Sequence, residues 1–223
     1  MVRLIRALPA WAELAIVLLV AFGVFTFRSV VSLFLAGGPA RSLADLRFVI
    51  VYELAGLVLL LPFLHLRGWS LERLGLGSLS FRDGVVAVAL SAVALMAYVG
   101  GFTAAATAAP DLMMALAPAQ MAGHIGPIDL VLVCLVNPFF EEVFVSGYVI
   151  AALDPRRTAW TGINVSVAIR LLCHLYQGPV GVLSIVPIGL VFAWWYARTG
   201  RLWPLVMAHA LFDFLPLAGD VGG

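Results

Sequence analysis

The residues best suited to chemistry are a few ionisable side chains that interrupt long apolar stretches. They are Glu141 and Glu142, Arg170 and His174, and His209 and Asp213. In each of the last two pairs the members are four residues apart, so they share one face of a helix. A carboxylate base with imidazole and guanidinium groups beside it can activate water and stabilise developing negative charge, which is what amide hydrolysis requires.

The rest of the composition indicates what must hold these side chains. Hydrophobic residues make up 63% of the 223 residues and charged residues 11%, whereas soluble domains average about 45–50% and about 25%. This balance disfavours a small soluble enzyme, a disordered chain and a nucleic-acid-binding protein. Cys134 and Cys173 lie in apolar runs without a pairing pattern, so neither a disulfide framework nor a cysteine zinc site is predicted.

We predict an all-α, polytopic bundle of about seven transmembrane helices, with an eighth short span left open. A helix needs about 20 apolar residues to cross the hydrocarbon layer, and the runs are continuous rather than alternating, unlike the strands of a membrane barrel. No internal repeat divides the chain, so residues 1–223 are expected to form a single integral membrane domain. The apolar segments are 11–35, 47–66, 85–109, 128–152, 160–177, 180–197 and 202–218.

Arginine placement predicts the orientation, because cytoplasmic loops carry the excess of basic residues. With the N-terminus in the cytoplasm, nine arginines lie inside and two, Arg41 and Arg47, lie outside. The inner residues are Arg3, Arg6, Arg67, Arg73, Arg82, Arg156, Arg157, Arg198 and Arg201. The loop over 110–127 is then external, and we expect Leu112–Met121 to lie on the membrane surface.

Three further charges fall inside the N-terminal spans, where an ionisable group costs about 2.5–3.5 kcal/mol at mid-membrane. Glu13 lies near a helix end, so we interpret it as a solvated carboxylate. Arg28 and Glu53 both lie near 10 Å from the outer edge at about 1.5 Å per residue. We therefore predict an ion pair between Arg28 and Glu53 on neighbouring helices.

The same depth estimate tests whether the later charges can meet. Glu141 and His209 both lie about 10 Å from the inner edge, but His174 comes out near 21 Å in a regular span. We therefore expect span five to deviate, with the turn Gln177-Gly178-Pro179 submerged. Irregular backbone at that depth must line a wet cavity or be covered by protein, and a wet cavity would supply water for hydrolysis.

These motifs, in this order and each on a membrane helix, resemble the CAAX protease and bacteriocin-processing family, the Abi-type intramembrane proteases. The match is Glu141-Glu142 on one helix, His174 on the next and His209-x-x-x-Asp213 on a late one, over about residues 128–218. The resemblance implies that Glu141 activates a water that His174 helps to hold. It also implies that His209 and Asp213 stabilise the oxyanion and that Glu142 orders the site. Asp213 is a poorer donor than the family's alternative Asn, and we expect it to orient the His209 ring.

Two positions depart from the family pattern. Ser146 stands where the pattern has Arg, and Arg170 stands where it has Phe. We predict an exchange in which Arg170, from the facing helix, replaces the missing cation beside Glu142, since its planar fork suits a carboxylate. Without that contact the chain would be a catalytically impaired relative, acting as a membrane scaffold or bacteriocin-immunity-type protein.

No cofactor is expected, but metal-dependent hydrolysis stays open as an alternative. Glu141, His174 and His209 are legitimate zinc ligands, although the usual metalloprotease spacing His-Glu-x-x-His is absent. A proton-coupled transporter is a further alternative, without the inverted repeats typical of that class. The expected partners are a peptide or protein substrate and the lipid bilayer, and the Lys-free, Ala- and Gly-rich composition points to a prokaryotic cytoplasmic membrane.

Overall fold

The computed structural model describes residues 2–32, 34, 41–111, 121–122, 124–153 and 160–219. The helices are α1 (Val2–Arg6), α2 (Ala10–Ser32), α3 (Leu43–Leu66), α4 (Phe81–Ala108), α5 (Pro127–Glu141), α6 (Val149–Leu153), α7 (Trp160–His174), α8 (Gly178–Thr199) and α9 (Trp203–Ala218). A π-helical segment, Glu142–Tyr148, joins α5 to α6, and a 3₁₀ turn, Leu175–Gln177, joins α7 to α8. Two short strands, β1 (Arg41–Ser42) and β2 (Met121–Ala122), pair in parallel.

The prediction of an all-α membrane bundle is confirmed. Each of the seven predicted spans coincides with a helical segment to within four residues at its ends. The helices α2, α3 and α4 are long and apolar enough to cross a membrane. Large apolar side chains on their outer faces are open, as for Leu19, Phe27 and Val58, which are 68%, 68% and 72% exposed. A lipid-facing surface of this kind is what a membrane-embedded bundle requires.

Two topology predictions fall mostly outside the described residues. Of the predicted surface segment Leu112–Met121, residues 112–120 are not among them, while Met121 pairs with Arg41 in the strand ladder. Arg156 and Arg157, which contributed to the predicted orientation, also lie outside the described ranges.

The centre of the bundle is the continuous rod formed by α5, the π-helical segment and α6. On its sides α3 and α9 pack against α5, α7 packs against α6, and α4 and α8 close the ring through α9 and α7. Aromatic residues of the rod and its neighbours are fully buried: Phe140, Phe144, Tyr148, Phe192 and Tyr196. Glu141 and Glu142 therefore lie on a deeply buried element of the molecule.

Close approach of α3 to α5 depends on Gly56. A Cβ placed at Gly56 would lie 2.7 Å from the Phe140 ring, nearer than side chains tolerate. Phe140 is fully buried in the space that the missing side chain leaves. Because Glu53 precedes Gly56 by three residues and Asn137 precedes Phe140 by three, this contact also sets the register of the neighbouring helical turn.

The predicted ion pair between Arg28 and Glu53 is wrong. Arg28 Nη2 instead bonds Asp45 Oδ1 at 2.6 Å, and its guanidinium lies over the Phe48 ring at 5.1 Å. Asp45 is also the acidic partner of Ser42 in the capping box that begins α3, so the cation reaches a solvated helix end rather than the buried carboxylate. Equal depth in neighbouring helices does not by itself bring two side chains to the same face.

Candidate active site

The site is built around an irregular stretch of the central rod. Sequence analysis predicts one uninterrupted span over 128–152, whereas residues Glu142–Tyr148 form a π-helix, all of it buried. Pro138, just before it, lacks the amide hydrogen that an α-helix would direct to Cys134. The wider turn is held from outside, because the Tyr196 hydroxyl donates to the Gly147 carbonyl at 3.1 Å. Such π-segments inside α-helices are frequent at functional sites.

Glu142 is the fully buried centre of the cluster, at 0% exposure. Its Oε2 accepts from Arg170 Nη2 at 2.5 Å and from the Ser146 hydroxyl at 2.7 Å. Its Oε1 bonds His209 Nδ1 at 2.8 Å. Three donors from three different elements therefore satisfy one carboxylate, as a buried charge requires.

The predicted contact between Arg170 and Glu142 is confirmed. Arg170 reaches across from α7, is 5% exposed, and donates from the same Nη2 to Ser146 Oγ at 3.0 Å. Its other terminal nitrogen, Nη1, lies 3.6 Å from Glu141 Oε2. The guanidinium thus spans both adjacent carboxylates, and Ser146 fills the place of the family arginine as a smaller polar contact.

Glu141 is held much more loosely than Glu142. Its side chain is 17% exposed, and its contacts are the 3.6 Å approach of Arg170 and a 3.4 Å hydrogen bond from Asn137 Nδ2 to Oε1. Both distances are longer than the usual charge-assisted hydrogen bond. Of the two adjacent carboxylates, one is therefore anchored and the other is left open to water.

His209 and Asp213 lie on α9, as the spacing predicts, but the expected contact between them differs. Glu142, rather than Asp213, makes the short hydrogen bond to the His209 ring. Asp213 Oδ1 lies 3.7 Å from His209 Nε2, an ion-pair separation that is too long for a hydrogen bond. Because an ionised carboxylate only accepts, Nδ1 of His209 carries the hydrogen, and Nε2 faces the Asp213 side of the site.

His174 ends α7, one turn beyond Arg170. Its Nδ1 donates to the Arg170 carbonyl at 2.7 Å, and its ring stacks on Tyr176 at 6.0 Å between centroids. The chain then leaves the α-helix through the 3₁₀ turn and Gly178, whose φ is 69°. The expected irregularity after His174 is present, and the role of this ring in holding water stays a prediction.

Two residues of this region, Asn137 and Glu53, are not among the site residues predicted from the sequence. Asn137 donates to Glu53 Oε1 at 2.7 Å as well as to Glu141, so it joins α3 to the site. Glu53 is 1% exposed, and Glu141, His209 and Asp213 all lie within electrostatic range of it. The spacing of four residues between Asn137 and Glu141 is the signal that places both on one helical face.

Glu13 is a further buried carboxylate that lies in a separate cluster, and its interpretation as a solvated group is wrong. Glu13 is 7% exposed, with Arg67 Nε at 2.5 Å from Oε2. Its Oε1 accepts from Trp69 Nε1 at 2.8 Å and from the Tyr148 hydroxyl at 3.0 Å. We call Glu13, Arg67, Trp69 and Tyr148 the Glu13 cluster. Its partners come from a loop and from the π-segment, which sequence position alone does not bring near Glu13.

The proposed zinc ligands do not fit a metal ion in this arrangement. Within the described part of the chain, no group of three or more His, Cys, Asp or Glu side chains is placed to hold one. A cationic guanidinium already lies beside Glu141, so a metal ion there would be repelled by a like charge. We therefore derive no chemical step through a metal.

Comparison with known proteins adds one finding to this geometry. A family model described as type II CAAX prenyl endopeptidase Rce1-like matches residues 123–215. The matched segment runs from α5 into α9, so it holds Glu141, Glu142, Arg170, His174 and His209. No curated protein and no solved structure matches the chain.

Proposed function

Because residues 123–215 match the family model described as type II CAAX prenyl endopeptidase Rce1-like, we propose that this integral membrane protein is an endopeptidase that cleaves with a water activated by Glu141. The observation that carries the proposal is the unequal treatment of two adjacent carboxylates. Glu142 is fully buried and bonded on both oxygens, whereas Glu141 is partly open and has only long contacts. An anchored carboxylate positions its neighbours, and an open one can take a proton from water.

The proposed first step uses the edge of Glu141 that remains accessible. Glu141 accepts a proton from a water molecule, and the resulting hydroxide attacks the carbonyl carbon of the scissile peptide bond. Asn137 and Arg170 limit the rotation of the carboxylate from its two sides. The proton then passes from Glu141 to the leaving amine nitrogen as the carbon–nitrogen bond breaks, so the base is regenerated.

Stabilisation of the oxyanion is assigned to His209. Glu142 fixes the ring through Nδ1, which aims Nε2 away from the anchored carboxylate. When the ring is doubly protonated, Nε2 donates to the carbonyl oxygen as negative charge develops on it. A preorganised donor of this kind contributes about 10²- to 10³-fold to kcat. Asp213 Oδ1, at 3.7 Å from Nε2, is close enough to favour the doubly protonated ring electrostatically.

The decisive experiment replaces the proposed base by its amide. Purified protein in liposomes is given a farnesylated peptide ending in a CAAX-type sequence and, separately, the same peptide without the lipid. We expect release of a C-terminal fragment, detected by mass spectrometry, and a loss of at least about 10²-fold in kcat for Glu141→Gln. Glu72→Gln, the same change at an exposed carboxylate outside the site, should cleave as the wild type does.

Two results would contradict this function. Equal cleavage by wild type and Glu141→Gln would show that the base lies elsewhere. A folded wild-type protein inert towards both peptides would favour the alternative of a non-catalytic family member, since the substrate class is inferred from the family alone.

We also propose that the N-terminus lies inside, on the strength of the arginine distribution, and that the membrane is a prokaryotic cytoplasmic one, on the strength of the Lys-free, Ala- and Gly-rich composition. Arg67, Arg73 and Arg82 flank one loop between α3 and α4, which the positive-inside rule assigns to the cytoplasm. This orientation can be tested with a reporter that is active only on the outer side of the membrane, fused before Met1. Activity of that reporter would contradict the orientation.

A further inference from the structure

The carboxylate of Glu53 is a buried and incompletely satisfied group near the site. Glu53 lies on α3, outside the segment that the family model matches, and it is 1% exposed. Its Oε1 accepts one hydrogen bond, from Asn137. Its Oε2 has no hydrogen-bond partner in the part of the chain that the structure describes.

A single amide connects this carboxylate to the proposed base. Asn137 Nδ2 carries two hydrogens and lies 2.7 Å from Glu53 Oε1 and 3.4 Å from Glu141 Oε1. The shorter bond goes to Glu53, so Glu53 sets the orientation of the amide and the amide sets the approach to Glu141. The contact of Gly56 with Phe140, one turn along, fixes the register in which this occurs.

The surroundings of Glu53 do not suit a residue kept for stability. From α5 it faces Asn137 and Glu141, and from α9 it faces His209 and Asp213. No arginine contacts it among the described residues. A buried polar atom without a partner costs about 1–3 kcal/mol, and apolar side chains of similar volume are often as stable or more stable in such places. The chain therefore carries this carboxylate at a cost.

We propose that Glu53 is a positioning residue of the active site, which acts on Glu141 through the Asn137 amide and touches neither substrate nor water itself. This inference rests on the proposed function of Glu141 as the base. It makes α3 part of the site, although the family match begins 70 residues after Glu53. The site is thus completed by a helix that the shared family segment does not contain.

Two variants of Glu53 test the proposal first, assayed as above beside Glu141→Gln. Glu53→Met removes the acceptor and the unpartnered oxygen together, so we expect thermal stability equal to or above that of the wild type. Its kcat should fall about 10- to 100-fold with KM unchanged, because misplacement of a reacting group by about 1 Å has effects of that size. Glu53→Gln keeps an oxygen that accepts from Asn137 and should restore most of the kcat.

The matched control is Tyr52→Phe, next to Glu53 on the same helix. The Tyr52 hydroxyl donates to the Val20 carbonyl at 2.6 Å, away from the site, so its loss should leave kcat unchanged. Asn137→Leu should lose as much kcat as Glu53→Met. The double variant should lose little more than either, since residues that act through one contact are not additive.

Several outcomes would overturn the proposal. Wild-type kcat in Glu53→Met would remove any role in positioning, and a Glu53→Gln variant as impaired as Glu53→Met would mean that the carboxylate itself takes part in the chemistry. If kcat falls in the Glu53 variants only in proportion to their loss of thermal stability, the role of Glu53 is structural. If the wild type cleaves neither peptide, the proposed function is refuted independently of Glu53. The positioning role of Glu53 is then tested by determining the structure of the Glu53→Met variant. In it the contact of Asn137 with Glu141 should be lost, and an unchanged contact would refute positioning.

Discussion

Two buried acidic clusters in the described part of the chain differ in how completely their charges are paired. In the Glu13 cluster, one carboxylate receives three donors, from Arg67, Trp69 and Tyr148, and both of its oxygens are bonded. The Glu142 cluster comprises Glu53, Asn137, Glu141, Glu142, Ser146, Arg170, His209 and Asp213. In it four carboxylates share one arginine and one imidazole, and Glu53 Oε2 and Arg170 Nε have no hydrogen-bond partner in the described residues.

This contrast separates a structural use of a buried charge from a chemical one. A carboxylate whose donors match its acceptors holds helices together and gains nothing from water or substrate. A buried cluster with more hydrogen-bond acceptors than donors is energetically costly when no substrate or water supplies the missing donors. In such an environment a proton can be taken up or passed on. We therefore propose that the chemistry takes place in the Glu142 cluster, where acceptors exceed donors.

The largest effect should come from removing the one arginine of the Glu142 cluster. Arg170→Leu leaves Glu142 buried without its cation, and breaking a buried ion pair by removing one partner costs about 3–5 kcal/mol. We expect thermal unfolding in detergent to move well below that of the wild type and cleavage to be lost. Arg198→Leu, an exposed arginine on α8, should change stability by about 0.5 kcal/mol or less. Similar stability for both variants would mean that Glu142 does not depend on this cation.

A smaller effect, confined to stability, should follow from Glu13→Gln. The amide keeps one acceptor but leaves Arg67 without its anion, and a loss of about 1–3 kcal/mol is expected. Because the Glu13 cluster is balanced and separate from the site, kcat measured per folded molecule should equal that of the wild type. If Glu13→Gln keeps its stability but no longer cleaves, the Glu13 cluster has a chemical role, and the distinction between the two clusters is wrong.

The smallest effect should come from Tyr148→Phe, which removes one of the three donors to Glu13. The loss of one neutral hydrogen bond costs about 0.5–1.5 kcal/mol. Tyr148 also ends the π-helical segment that begins at Glu142, so this variant tests whether a change in the Glu13 cluster affects the Glu142 cluster. Unchanged kcat with slightly lowered stability would show that the two clusters act independently. A loss of kcat without a matching loss of stability would show that they are coupled.

Much of the fold follows from the sequence because the membrane imposes a simple rule. Apolar runs of about 20 residues must be helices, and each predicted span coincides with a helical segment. The contact of Arg170 with Glu142 is also predictable, since a buried carboxylate requires a cation and Ser146 does not supply one.

What the sequence does not predict depends on rotation about helix axes and on irregular backbone. The equal membrane depth of Arg28 and Glu53 suggests an ion pair between them. In the structure Arg28 instead bonds Asp45, and Glu53 bonds Asn137, because the two side chains face different neighbours. The π-segment has no local sequence signature beyond Pro138, because the packing of neighbouring helices holds it. The contact of Glu13 with Tyr148 joins residues 135 positions apart, and only the assembled bundle brings them together.

The distance along the chain between Glu53 and Asn137 has a consequence for how the protein is made. The two residues are 84 positions apart, and at about 5–20 residues per second a ribosome needs roughly 4 to 17 s to add that length. During this interval α3 has left the ribosome while its carboxylate has no amide to meet. Glu53 must therefore enter the bilayer as a neutral acid or wait beside water in the insertion machinery. The same residue that we propose to order the finished site is, for those seconds, an ionisable group in a nascent membrane helix without its later partner.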